Sequence, residues 1–106
     1  MSDRLAALLA FHADDPSDAF TRFALAQEYA RAGRADEARA AYEALVRDEP
    51  GYVGTYYHLG KLCEATADPA AARTAYRDGI AAATAAGDGH ARAELQSALL
   101  ELDIDL

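Results

Sequence analysis

"DDPSDAFTRFALAQEYARAGRADEARAAYEALV", residues 14–46, falls without a gap on "DEPGYVGTYYHLGKLCEATADPAAARTAYRDGI", residues 48–80. The shift of 34 residues carries Pro16 to Pro50, Thr21 to Thr55, Leu25 to Leu59, Ala38 to Ala72, Arg39 to Arg73 and Tyr42 to Tyr76. A fixed period of this size marks stacked repeats, and this length suits a pair of antiparallel helices that bury their apolar faces on their neighbours. Composition agrees. The chain is rich in alanine, lacks tryptophan and has only three prolines among 106 residues, all of which favours helix in an all-α fold. That length has room for one domain, residues 1–106.

Local signals punctuate the helices. Asp15-Pro16 reads as an N-cap followed by proline in a first turn, where the missing N–H costs nothing. Gly33 stands where a left-handed residue would close that helix, and a second helix follows over 35–48. The next unit begins a helix at Gly51 that runs to about Thr66. Asp68-Pro69 then starts another, ending at Gly87.

Within these helices, Tyr56, Leu59, Gly60 and Cys63 lie at i, i+3, i+4 and i+7, one face of a helix. Gly60 and its counterpart Ala26 let two helices approach, Ala38 and Ala72 give the facing helix the same clearance, and Tyr42 and Tyr76 fill the space beside them. Alanine is therefore expected to be tolerated at position 60. Gly60-Lys61 is not a phosphate loop: five residues separate Gly54 from Gly60 instead of four, and Leu62 follows the lysine instead of Ser or Thr.

These residues resemble the tetratricopeptide repeat (TPR) family, whose signature is W-x₂-L-G-x₂-Y, then A-x₃-F, then P. Tyr56-x₂-Leu59-Gly60-x₂-Cys63 matches the first part, with Tyr for Trp and Cys for Tyr. Arg22-x₂-Leu25-Ala26-x₂-Tyr29 matches it more loosely. Ala38-x₃-Tyr42 and Ala72-x₃-Tyr76 match the second part and Pro50 the third. Thr84 replaces the second proline, so that helix is expected to run on. The resemblance, to a small stand-alone bacterial-type member, implies a right-handed α-solenoid of about six helices. Repeat 1 would span 17–50 and repeat 2 51–84, with a half-repeat helix over 2–13 and a capping helix over 88–103. In that capping helix Leu95, Leu99 and Leu102 form one stripe, with Ala91 and Ala98 beside it. Its register slips by about two residues around Gly87–Gly89, which restores Leu95 and Leu99 to the places of Leu25 and Tyr29. Residues 103–106 are expected to fray.

The resemblance further implies that the first helix of each pair lines a concave groove for a peptide or partner helix. The residues so placed are Phe20, Phe23 and Gln27 in repeat 1 and Tyr57, Lys61 and Glu64 in repeat 2. Phe23 beside Tyr57, with Gln27 beside Lys61, would make an aromatic strip next to a polar one, although Phe20 and Phe23 could equally pack as core. The lysine–asparagine pairs with which some members hold a C-terminal carboxylate are not matched, since Phe23/Gln27 and Tyr57/Lys61 stand there. The expected function is a non-catalytic interaction module or adaptor. The alternative is a structural unit that self-associates into a homo-oligomer through its terminal helices, including "LLELDIDL", residues 99–106.

Charge narrows the partners. A net charge of −8 repels phosphate backbones and anionic membrane surfaces, so neither nucleic acid nor membrane is an expected partner. A protein or peptide carrying basic residues beside apolar anchors is, with the chain a monomer or a weak homo-oligomer. The same acidity serves solubility or adaptation to high salt. A single cysteine, no signal peptide and no apolar run of membrane length point to the cytoplasm. No cofactor, metal or catalytic residue is expected: His12, His58 and His90 share no ligand spacing, His58 reads as a helix-surface residue, and "HADDPSD" lacks the glycine and terminal Glu of a calcium loop. No Ser or Cys sits in a nucleophile motif, and Cys63 reads as a small buried hydrophobe.

Overall fold

Six helices make up the structure, a computed structural model that describes residues 2–104: α1 (Asp3–Asp14), α2 (Ala19–Arg31), α3 (Ala35–Asp48), α4 (Gly54–Ala65), α5 (Pro69–Ala86) and α6 (Gly89–Ile104). Short loops make sequential helices antiparallel neighbours, and each packs on the next. The backbone of α4 also approaches those of α2 and α6, whereas among the described residues no two odd-numbered helices come as close. The stack is therefore tighter along α2, α4 and α6, and that side is concave.

Aspartate side chains set three of the six helix starts. Asp18 accepts the Thr21 N–H at 2.9 Å and the Thr21 hydroxyl at 2.6 Å, and Asp68 accepts the Ala71 N–H at 3.2 Å just before Pro69. Asp88 does the same for Ala91 at 3.0 Å. The N-cap of α2 is thus Asp18 and not Asp15. The Asp15 N–H instead closes α1 on the Phe11 carbonyl, and Pro16-Ser17 form the turn that reverses the chain. At the equivalent place in repeat 2 stands Tyr52, which has no carboxylate to offer. There α4 begins only at Gly54, three residues after the expected Gly51, with no side-chain cap.

Helices α2, α4 and α5 end identically. Gly33, Ala67 and Gly87 all have positive φ (79°, 61° and 69°), and the next residue's N–H reaches back to the carbonyl of Tyr29, Cys63 or Ala83. This is the left-handed stop that glycine favours. Ala67 adopts it against a steric cost of roughly 1–2 kcal/mol for an L-residue. Ala67→Gly is therefore expected to stabilise the protein by up to about 1 kcal/mol, seen as a higher midpoint in urea; an unchanged or lower midpoint would count against strain at this stop.

Of the repeat-signature residues, Leu25, Ala26, Ala38, Tyr42, Tyr56, Leu59, Gly60, Cys63, Ala72 and Tyr76 are buried, Tyr29 is half-buried and Pro50 exposed. The Tyr76 ring lies directly on Gly60, and Gly79 lies against Tyr56 and Leu95. A β-carbon on Gly60 would run into that ring, so the expected tolerance of alanine there is overturned. Thr84 continues α5 and donates its hydroxyl to the Ile80 carbonyl at 2.7 Å. In α6 the buried stripe is Leu95, Ala98 and Leu102, with Ala91 and Leu99 half-buried on its flanks. Asp103 and Ile104 are helical, not frayed, and Asp103 pairs with Arg73 at 3.1 Å. Residues 105 and 106 lie outside the described residues.

Candidate functional site: the concave face of α2, α4 and α6

Two hollows follow each other across the concave face. The first, about 370 Å³ between α2 and α4, is lined by Gln27, Ala30, Arg31, Tyr42, His58, Lys61 and Leu62. The second, about 350 Å³ between α4 and α6, is lined by Tyr57, Lys61, His90, Ala93, Glu94, Ser97, Ala98 and Glu101. Lys61 borders both. Its ammonium sits 5.5 Å from the centre of the Tyr57 ring and 3.6 Å from the Glu64 carboxylate, so its aliphatic stem forms the ridge between the hollows.

His58 lies behind that ridge, half-buried, with the ring of Phe23 at 5.2 Å and that of Tyr57 at 5.7 Å, both nearly edge-on. Sequence placed it at a helix surface; instead it links two aromatic residues of different repeats. Burial holds its pKa below the usual imidazole value, against the opposing pull of Glu94, so the ring is neutral at pH 7. The Tyr42 phenol, pushed up to about 12 by burial, is neutral as well.

The expected contact residues fall into two groups. Gln27, Tyr57 and Lys61 line the hollows. Phe23 does not stand free beside Tyr57: it fills the seam between α2 and α4, with Tyr52 at 5.7 Å and Tyr42 at 6.1 Å, and Gly54 leaves room for it. Phe20, one turn earlier, is 65% exposed and borders neither hollow. Glu64 accepts the hydroxyl of buried Tyr76. Sequence reasoning missed Arg31, Tyr42, His58 and the whole contribution of α6. The two-residue slip already contained part of the answer, because carrying it through puts Ala93 and Ser97 at the places of Tyr57 and Lys61.

On the opposite side, a hollow of about 400 Å³ has Val46, Leu59, Cys63 and Ala75 among its lining and Arg39, Glu43, Arg47 and Asp78 as its charged residues. Cys63 is 1% exposed and burial pushes its thiol up, so it is a packing residue at neutral pH. Among the described residues no three His, Cys, Asp or Glu side chains gather as a metal site requires, and no helix is long and apolar enough to cross a membrane.

Comparison with known proteins gives the same architecture. Two family models, both described as tetratricopeptide repeat, match residues 19–62 and 53–84. A TPR repeat-containing protein of Pseudomonas aeruginosa is 36% identical over 86 residues, which are 81% of this chain and 82% of that protein. The solution structure of a tetratricopeptide repeat domain protein from Salinibacter ruber superposes with a TM-score of 0.80 at 46% identity, covering 83% of this chain and 89% of that one. A Bordetella parapertussis protein superposes with a TM-score of 0.84 at 31% identity, covering 99% and 91%. Helix pairs that repeat every 34 residues, a small residue under a tyrosine in each pair, and these matches together mean that the chain belongs to the tetratricopeptide repeat family.

Proposed function

We propose that this chain is a non-catalytic adaptor that holds a peptide or a partner helix across α2, α4 and α6. Repeats of this family generally mediate protein–protein interaction. The observation that carries the proposal here is the pair of adjoining hollows that share Lys61, with aromatic and polar groups side by side. Gln27, Tyr57 and Lys61 form its centre, Glu64 and Phe23 support it, and Phe20 extends it along α2. Apolar anchors of the partner fit against Tyr57 and Ala93. Its basic residues fit Glu94 and Glu101, within a surface whose net charge is −8, so binding weakens with salt. A reducing cytoplasm suits the single buried thiol.

Tyr57→Ala tests the proposal. Once a partner has been isolated by affinity capture and its binding segment synthesised, titration against the variant should show affinity reduced roughly tenfold or more, the scale of an aromatic anchor. The melting temperature should change little, because Tyr57 is only half-buried. A sharp fall in melting temperature with binding retained would make Tyr57 a core residue and remove the groove assignment. Self-association through the terminal helices is the second function that an observation favours: of the four exposed large hydrophobic residues among the described ones, Phe11, Phe20, Leu100 and Ile104, three lie on α1 and α6.

A further inference from the structure

We infer that copies of this chain stack head to tail, with α6 of one copy and α1 of the next forming the first and second helices of a repeat divided between two molecules. The inference rests on the self-association just described and specifies its geometry and its occupant, a second copy.

The repeat register carries the argument. Phe11 occupies the place of Leu45 and Gly79, each 34 residues from the next. Both of those are buried, and Gly79 shows why: its neighbours are Tyr56 of the first helix in its own pair and Leu95 of the first helix in the next. In α1 the next first helix is present as α2, and the other neighbour is missing among the described residues. Phe11 is accordingly 62% exposed. The shape of the missing neighbour is that of a first helix.

At the other end α6 is such a helix. With the two-residue slip, Arg92, Gln96 and Leu100 take the places of Tyr56, Gly60 and Glu64. Those three meet the second helix of their own pair, at Gly79 and Tyr76. The α6 equivalents are all exposed, Leu100 to 61%, and Ile104 beside them is 71% exposed. Each end therefore presents the half-interface that the other lacks, continuous with the interface already formed inside the chain by α4 and α5.

Docked in the same antiparallel sense, the chemistry agrees. Phe11 falls opposite Arg92, an aromatic face against a guanidinium. Leu8 stands at the place of the internal tyrosines but is already buried with Leu5, Ala24 and Leu25 of its own chain, so Phe11 is the residue of α1 left to be covered. A contact of this type uses two different surfaces and does not close on itself, so it extends beyond a dimer.

Two exposed-site variants test the geometry. Phe11→Arg sets a cation against Arg92 and blocks only the α1 surface; Leu100→Arg blocks only the α6 surface. In sedimentation equilibrium the wild-type 106-residue chain should show a mass that rises past twice the monomer with concentration. Each variant alone should stay monomeric while its helical circular dichroism and melt are unchanged. An equimolar mixture should form a one-to-one dimer and nothing larger, because it retains one intact surface of each kind. A wild type that remains monomeric up to about 1 mM, the weak end of specific affinity, overturns both self-association and this geometry. A variant that dimerises by itself, or a mixture that stays monomeric while the wild type assembles, leaves self-association standing and overturns the head-to-tail arrangement.

Discussion

Tyr76→Ala is expected to cost about 3–5 kcal/mol, the range for deleting a large aromatic side chain from a core. Tyr76 is 0% exposed and its ring covers Gly60, so truncation opens a cavity between α4 and α5 that neither backbone can close. For a chain of this size the loss corresponds to more than 10 °C in melting temperature, at roughly 4–8 °C per kcal/mol. Tyr76→Phe separates the ring from the hydroxyl. That hydroxyl donates to Glu64, which is only half-buried and can turn to water when the donor is gone. The phenylalanine variant should therefore lose only about 0.5–1.5 kcal/mol. Urea melts of the three proteins check this; similar losses for Ala and Phe would mean that the hydrogen bond, and not the packed ring, holds α4 to α5.

Gly79→Ala is the second large effect, and it runs against intrinsic preference. In an open helix alanine is favoured over glycine by up to about 1 kcal/mol. Here the new β-carbon would lie 2.5 Å from Cβ of Tyr56 and 3.0 Å from both methyl carbons of Leu95. A β-carbon moves only with its backbone, so α4 and α5 must separate. The overpacking penalty of about 1–3 kcal/mol is expected to outweigh the helix preference and lower the melting temperature by several degrees. Gly60→Ala meets the Tyr76 ring instead, and that ring is enclosed, so it too should destabilise. Gly89→Ala is the control. Nothing lies within 4 Å of its added carbon, and this variant should match or exceed the wild type. If Gly79→Ala melts with Gly89→Ala, the helices are not in the close contact described.

The pairing of α2 with α3 and of α4 with α5, and their buried faces, were legible in the 34-residue self-match, and the two end helices in their leucine spacing, because a period and an apolar stripe are properties of the chain order itself. The stops at Gly33 and Gly87 were legible for the same reason, since glycine marks a left-handed residue. The third stop was not: Ala67 gives no sign of a positive φ, and only the carbonyls waiting at the end of α4 force it. Asp15-Pro16 misled because two acids lie three residues apart, and the turn between helices decides which of them becomes the cap.

Sequence alone thus determined that this is an all-α stack of antiparallel pairs, with Tyr42, Tyr76 and the small residues around them at its centre. Only the tertiary structure decided how close those pairs come. Ala26 and Gly60 are interchangeable in a repeat alignment, yet the Tyr76 ring leaves no space for a β-carbon, and Gly79 is hidden from the alignment by Leu45 at its counterpart. The concave face was likewise decided in three dimensions. Phe23 is drawn into the seam by Tyr42, Tyr52 and His58, while Arg31 and the polar residues of α6 are brought to the hollows. A periodic pattern specifies which side of a helix is apolar, but the angle and distance between two helices are set by the volumes of the side chains that meet, and those meet only in the folded chain.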